Sequence, residues 1–249
     1  MPRRKKAEEV EATEPEETVE AEEKEPEGSD SEEEQEEKES KKSIIMLPPL
    51  FDMFGAGGPR AEGKIRVLGM IGDVTEDRAS DLIYGMLSLK ESGKREELAN
   101  PEDPSSDIVT TYEPIEIVCS TYGGSASDMF GIYDMMRLVK DDMEIHTTGV
   151  GKVMSAGVLI LAAGTKGKRR IGKNCRVMIH SVVGGTHGAM HNLENEMDEI
   201  RWIQERYIET LVSESDMTKA MVKKMLNRKV NIYLTAQQAV EYGIADEVF

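Results

Sequence analysis

Residues 151–181, GKVMSAGVLILAAGTKGKRRIGKNCRVMIHS, decide the fold. The β-prone run 149–153 leads into Ser155, and the apolar run 156–163 behind it stops at Gly164. This reads as strand, sharp turn and buried helix, with the serine on the turn. A loop is expected over the basic, glycine-containing stretch 165–174, then a short strand over 176–180 that ends on His180. The unpaired amides and partial positive charge of a helix N-terminus favour a developing oxyanion. Serine is a poor nucleophile at neutral pH and needs a base within reach, for which neutral histidine is the usual choice. Ser155 and His180, on adjacent elements, are therefore a candidate nucleophile and base. The competing reading is structural: a serine that caps a helix and a histidine that merely ends a strand.

Outward from this stretch, composition narrows the class. The chain has 249 residues and a net charge of −17. Residues 1–43 hold eight Lys or Arg and eighteen Asp or Glu, so the acidity is concentrated there. Glu-rich and nearly free of large apolar side chains, that arm is expected to be disordered, because it cannot bury enough surface to offset chain entropy. Residues 44–62, apolar then Gly-rich, read as a linker, a strap on the domain or a docking segment; two prolines forbid a regular helix through IIMLPPLFDMF. The remainder, 63–249, is long enough for one domain with a full core. The basic start lacks the apolar stretch of a secretory signal, and no apolar run reaches the roughly 20 residues of a membrane helix. Net acidity argues against nucleic acid as a partner. Cys119 and Cys175 lack metal spacing and read as reduced, buried thiols of a cytoplasmic protein. His187 and His191 lie four apart but among glycines and without a third ligand, so no metal is expected, and no cofactor.

Along the domain, strands are expected over 64–68 and 115–120. Helical spacing of Ala79, Leu82, Ile83, Met86 and Leu87 marks a helix from Thr75, and Met129, Ile132, Tyr133 and Met136 mark another over 125–138. Residues 93–113 read as a charged surface loop. Further helices are expected over 193–211 and 217–226, and Thr235 with Gln238 forms a capping box for the last helix, which Gly243 closes. Alternating strands and helices imply an α/β fold around a largely parallel sheet.

Four blocks in order, Tyr122-Gly123-Gly124-Ser125, Met154-Ser155-Ala156-Gly157, Arg176-Val177-Met178-Ile179-His180, and Leu234-Thr235-Ala236 followed by Ala239-Val240-Glu241-Tyr242-Gly243, closely resemble the ClpP peptidases. These are the proteolytic subunits of ATP-dependent Clp proteases. The resemblance covers about residues 63–248, with 93–113 as an insertion. It implies a ClpP/crotonase-like fold of repeated ββα units, a strand after His180 that pairs with an opposite ring, and a protruding handle helix matched by 193–211. It also implies a serine endopeptidase: Ser155 as nucleophile, His180 as base, and the amides of Gly124 and Ala156 as the oxyanion hole. The family usually has proline at Tyr122 and methionine at Ala156, changes that backbone binding tolerates. Counting back from Thr235 places the third catalytic member at Asn227, which can accept a hydrogen bond from histidine but cannot neutralise an imidazolium; its competing role is to cap the preceding helix. Asn231 likewise stands where the family has an acid. Asp246 lies too far along to be the missing acid.

The resemblance further implies seven-membered rings stacked as a tetradecamer, polypeptide substrates, and an AAA+ unfoldase that hydrolyses ATP, since the chain has no Gly-x-x-x-x-Gly-Lys-Ser/Thr loop. The short helix that precedes the family's first strand has no counterpart in this sequence. One alternative is a weakly active or inactive ring subunit that partners an active paralogue. Another is a crotonase-type acyl-CoA enzyme, which would not need the Ser155–His180 pair.

Overall fold

A computed structural model describes residues 65–185, 187–228 and 230–249. The acidic arm and the 44–62 segment lie outside the described residues. The domain core is a seven-stranded sheet in which β1 (Val67–Ile71), β4 (Ile115–Thr121), β5 (Ile145–Met154), β6 (Arg169–Ile171) and β9 (Glu247–Val248) run parallel in that order. β7 (Arg176–Ile179) also pairs with β5 in parallel, and β8 (Ile232–Leu234) pairs antiparallel with β7.

β5 is the organising strand because it forks. Its first half pairs with β6 through Thr147, Thr148 and Gly149, and its second half pairs with β7 through Lys152, Val153 and Met154. Between the halves the register against β4 slips, and Gly151 adopts φ +66°, a conformation that an L side chain rarely tolerates. The bend turns the end of β5 away from β6 and toward the strand that carries His180.

The helices cover one face. α1 (Glu76–Ser92), α2 (Ala126–Lys140) and α3 (Ala156–Ala162) follow the first three parallel strands, with Thr75 and Ser125 capping α1 and α2 by accepting from the amides of Arg78 and Asp128. All seven residues of α3 are buried, so it serves as the central core helix. α4 (Met190–Glu214) has its fully buried residues only from Tyr207 onward, and its first turns, before Trp202 meets Phe130 of α2, are largely exposed as the handle. α5 (Lys219–Leu226) and α6 (Ala236–Glu241) complete the layer, and α6 has the capping box of Thr235 and Gln238.

Two loop readings are corrected. Residues 93–113 form an antiparallel ribbon, β2 (Lys94–Leu98) with β3 (Ile108–Tyr112), because the β-branched run IVTTY supplies a strand that a charged partner can pair with. The basic stretch 165–174 is likewise no plain solvated loop: it holds β6, and Arg169 is 2% exposed. Its guanidinium bonds to Asp246 through Nε at 2.9 Å and through Nη2 at 2.5 Å, and its Nη1 donates to the carbonyls of Ala162 and Glu214. One side chain thus ties the ends of α3 and α4 to the C-terminal strand.

Burial opposes ionisation of Asp246, but the Arg169 guanidinium and the amides of Arg169 and Gly167 outweigh it and hold the carboxyl below its usual range. A depressed carboxylate pKa contributes stability that is fully present above the unfolded value near 3.9 and is lost as pH falls through the folded value. Asp246→Asn is therefore expected to lower the denaturation midpoint at neutral pH and to flatten the acid limb of the stability–pH curve. Urea titrations of both proteins between about pH 3 and 7 check this.

Candidate active site

The site forms where three chain segments leave the same end of the sheet. Ser155 follows β5 directly, and its amide donates to the Met178 carbonyl of β7 at 2.8 Å, which locks the end of one strand to the other. At φ +52° and ψ −120°, Ser155 is the only non-glycine among the described residues with positive φ. The strained turn is stabilised from both sides, by that bond and by the start of α3, where the Val158 amide donates to the Ser155 carbonyl at 3.0 Å. Although Ser155 occupies the N-cap position, its side chain makes no capping hydrogen bond. The capping alternative therefore does not account for the hydroxyl.

The second segment is the loop after β4. Thr121 Oγ1 accepts from the Gly123 amide at 2.9 Å, while Val74 bridges the loop, donating to the Gly123 carbonyl at 2.8 Å and accepting from the Ser125 amide at 2.9 Å. Gly123 lies directly against the nucleophile candidate: a Cβ there would sit 2.5 Å from Ser155 Cβ and 3.0 Å from its Oγ. The amides of Gly124 and Ala156 donate to no acceptor among the described residues, the state expected of groups reserved for a ligand.

The third segment is the exit of β7. His180 follows Ile179 directly, half-buried, and lines with Ser155, Gly124 and Ala156 a cavity of about 320 Å³. Met129, Val182, Val183, Ile203 and Tyr207 supply its apolar walls. Tyr207, from the handle helix, is buried and donates its hydroxyl to the Ser155 carbonyl at 3.4 Å; burial pushes its pKa far up, so it stays a neutral donor.

Asn227 is not among the residues brought together here. It is exposed, caps the C-terminus of α5 and does not line the cavity. The register of β8 on β7 supplies another candidate. Val177 pairs with Leu234, Met178 with Tyr233 and Ile179 with Ile232, and continuing that register one antiparallel step would bring Asn231, itself exposed and outside the cavity lining, opposite His180. A three-residue strand, IYL, sets this register, and sequence spacing cannot locate so short a strand; the one signal for Asn231 was that it also replaces a family acid. His180 makes no hydrogen bond with any described residue.

Other chemistries find little support. Burial pushes the thiol of Cys119 up to about 12 and that of Cys175 up to about 11, so both stay protonated at neutral pH and neither is a thiolate nucleophile. Among the described residues no group of His, Cys, Asp and Glu is placed to hold a metal, and no helix is long and apolar enough to cross a membrane.

This is an α/β protein whose strand-end serine, on a strained turn, shares a cavity with a histidine at the end of the paired strand β7 and with two amides that meet no acceptor among the described residues. The sequence profile of the Clp protease family matches residues 107–249. The chain is 34% identical over 183 residues to the ATP-dependent Clp protease proteolytic subunit 1 of Prochlorococcus marinus subsp. pastoris, covering 74% of this chain and 83% of that protein. It is 33% identical over 175 residues to the ATP-dependent Clp protease proteolytic subunit 2 of Parasynechococcus marenigrum, covering 70% of this chain and 78% of the relative. The chain belongs to the Clp protease family, a family of peptidases.

Proposed function

We propose that this chain is a serine endopeptidase, the proteolytic subunit of an ATP-dependent Clp-type protease that cleaves unfolded polypeptides. The observation that carries the reading is the strained turn at Ser155, whose hydroxyl is not spent on capping and opens into the cavity lined by His180. Ser155 Oγ attacks the peptide carbonyl carbon while His180 takes its proton. The tetrahedral oxyanion is held by the amides of Gly124 and Ala156. Collapse breaks the C–N bond, the amine leaves with the proton from His180, and an acyl-Ser155 ester remains. His180 then deprotonates a water that attacks the ester; the acyl–Oγ bond breaks, the acid product leaves and His180 returns the proton to Ser155 Oγ. The apolar walls of Met129, Ile203 and Tyr207 fit an apolar substrate side chain beside the cleaved bond.

The reading extends to assembly and place. Heptameric rings, stacked as a tetradecamer in the cytoplasm, would enclose the sites, and an AAA+ unfoldase would supply extended chains at the expense of ATP; the names of the relatives, ATP-dependent proteolytic subunits, support the coupling. No cofactor takes part. Native mass measurement with a fluorogenic peptide assay tests both halves. A monomer, or a particle that hydrolyses nothing, would count against it.

A second reading, a weakly active ring subunit that partners an active paralogue, is favoured by the asparagines at 227 and 231. An asparagine can orient His180 but cannot stabilise its cation. The β8 register favours Asn231 as the orienting residue and leaves Asn227 the helix cap. Asn231→Asp is expected to raise kcat by about tenfold or more, since the reverse change in another serine protease costs about 10⁴. Asn227→Asp, assayed alongside, identifies the alternative: a rise confined to that variant would return the orienting role to Asn227.

A further inference from the structure

We propose that Lys152, with Arg176 beside it, forms a subsite for an acidic side chain of the polypeptide substrate. This rests on the peptidase reading above. Lys152 and Arg176 are register partners across β5 and β7, so their side chains leave the same face of the sheet. Each lies over a tyrosine: Lys152 Nζ is 4.4 Å from the ring centroid of Tyr122, and Arg176 Cζ is 6.0 Å from that of Tyr233. Tyr122 is itself a wall of the cavity and 64% exposed, so the ammonium stands at the cavity mouth.

Stacking fixes a cation without neutralising it, and an ammonium keeps its donors for an anion. Three cations of the adjoining basic stretch are already committed: Lys168 to Glu144 at 3.8 Å, Arg169 to Asp246, and Arg170 to Glu116 at 3.2 Å. Lys152 and Arg176 have no carboxylate partner among the described residues. In a chain of net charge −17, two adjacent uncompensated cations offset locally a field that would otherwise repel acidic peptides.

Position along the strands says where the acid falls. β5 runs from Lys152 toward Ser155 and β7 from Arg176 toward His180, so Lys152 lies about 10 Å and Arg176 about 13 Å back along their strands from the reacting groups. An extended substrate with the same rise places the matched acid roughly three residues from the cleaved bond.

The test uses the full chain carrying Ser155→Ala and two fluorescent peptides, each with one central leucine flanked three residues away on both sides by Glu or by Gln. Anisotropy is expected to show the Glu peptide bound about fivefold more tightly at low salt, with the ratio shrinking toward one in about 0.5 M salt. Adding Lys152→Gln is expected to abolish the ratio, and Lys152→Arg to keep it. Equal affinities, no binding of either peptide, or a ratio that survives Lys152→Gln would overturn the subsite. Because binding is read without turnover, a wild-type chain that hydrolyses no peptide would sink the peptidase reading and leave this comparison to decide separately.

Discussion

Ser155→Ala is expected to reduce hydrolysis of a fluorogenic peptide by about 10⁴-fold or more and to abolish covalent labelling by a fluorophosphonate probe, with assembly intact. Among the described residues, no other serine on the cavity combines a positive φ with a strand end and a helix start. Ser125, which also borders the cavity, accepts from the Asp128 amide as the cap of α2, whereas Ser155 caps nothing and sits at the end of the strand that pairs with the histidine strand. Labelling is the sharper readout because it needs only an activated serine, and in the proposed site a histidine supported by asparagine would set a slow baseline for turnover. Labelling at another residue would reject the assignment. Acyl-CoA chemistry that survives Ser155→Ala would favour the crotonase-type alternative.

Gly124→Ala is expected to lower kcat by about 10²–10³, the loss seen when one oxyanion donor is removed, with KM changed much less. Gly124 has φ +152°, and a Cβ there would overlap the Val74 carbonyl oxygen and come within 2.8 Å of the Val74 nitrogen. Both Val74 groups already bond to the loop, so the collision is with backbone that cannot move aside without releasing Gly123 and Ser125. The loop must shift, and the amide leaves the place where charge develops. Circular dichroism and oligomer mass separate this from unfolding. A variant that keeps full kcat would remove Gly124 from the oxyanion hole.

Much of the site was legible because its residues sit where local rules change. A serine between a β-prone run and an apolar helical run is a turn by pattern alone, and Gly123-Gly124 after a strand is another. The caps of α1, α2 and α6 followed from Thr75, Ser125 and the Thr235–Gln238 pair for the same reason. What escaped depends on long-range pairing. β6 is a three-residue strand inside a basic stretch, held because Arg169 finds Asp246 some 77 residues away. The β2–β3 ribbon pairs a charged strand without alternation to an apolar one, and neither periodicity nor propensity marks the charged half. Asn231 gains its claim only from β8, whose register is a property of the folded sheet.

The fork in β5 leaves a very small seam between the strands that carry Ser155 and His180. Three rungs, Lys152 with Arg176, Val153 with Val177 and Met154 with Met178, plus the amide clasp from Ser155 to Met178, hold the strand that ends at Ser155 to the strand that ends at His180. Most of the remaining sheet, β1, β6 and the first half of β5, takes no part in that seam, which β4 meets only through Thr121 at Val153. If the proposed Ser155–His180 chemistry holds, parting those rungs would separate the pair, so whatever clamps or loosens this junction would set when the site can react.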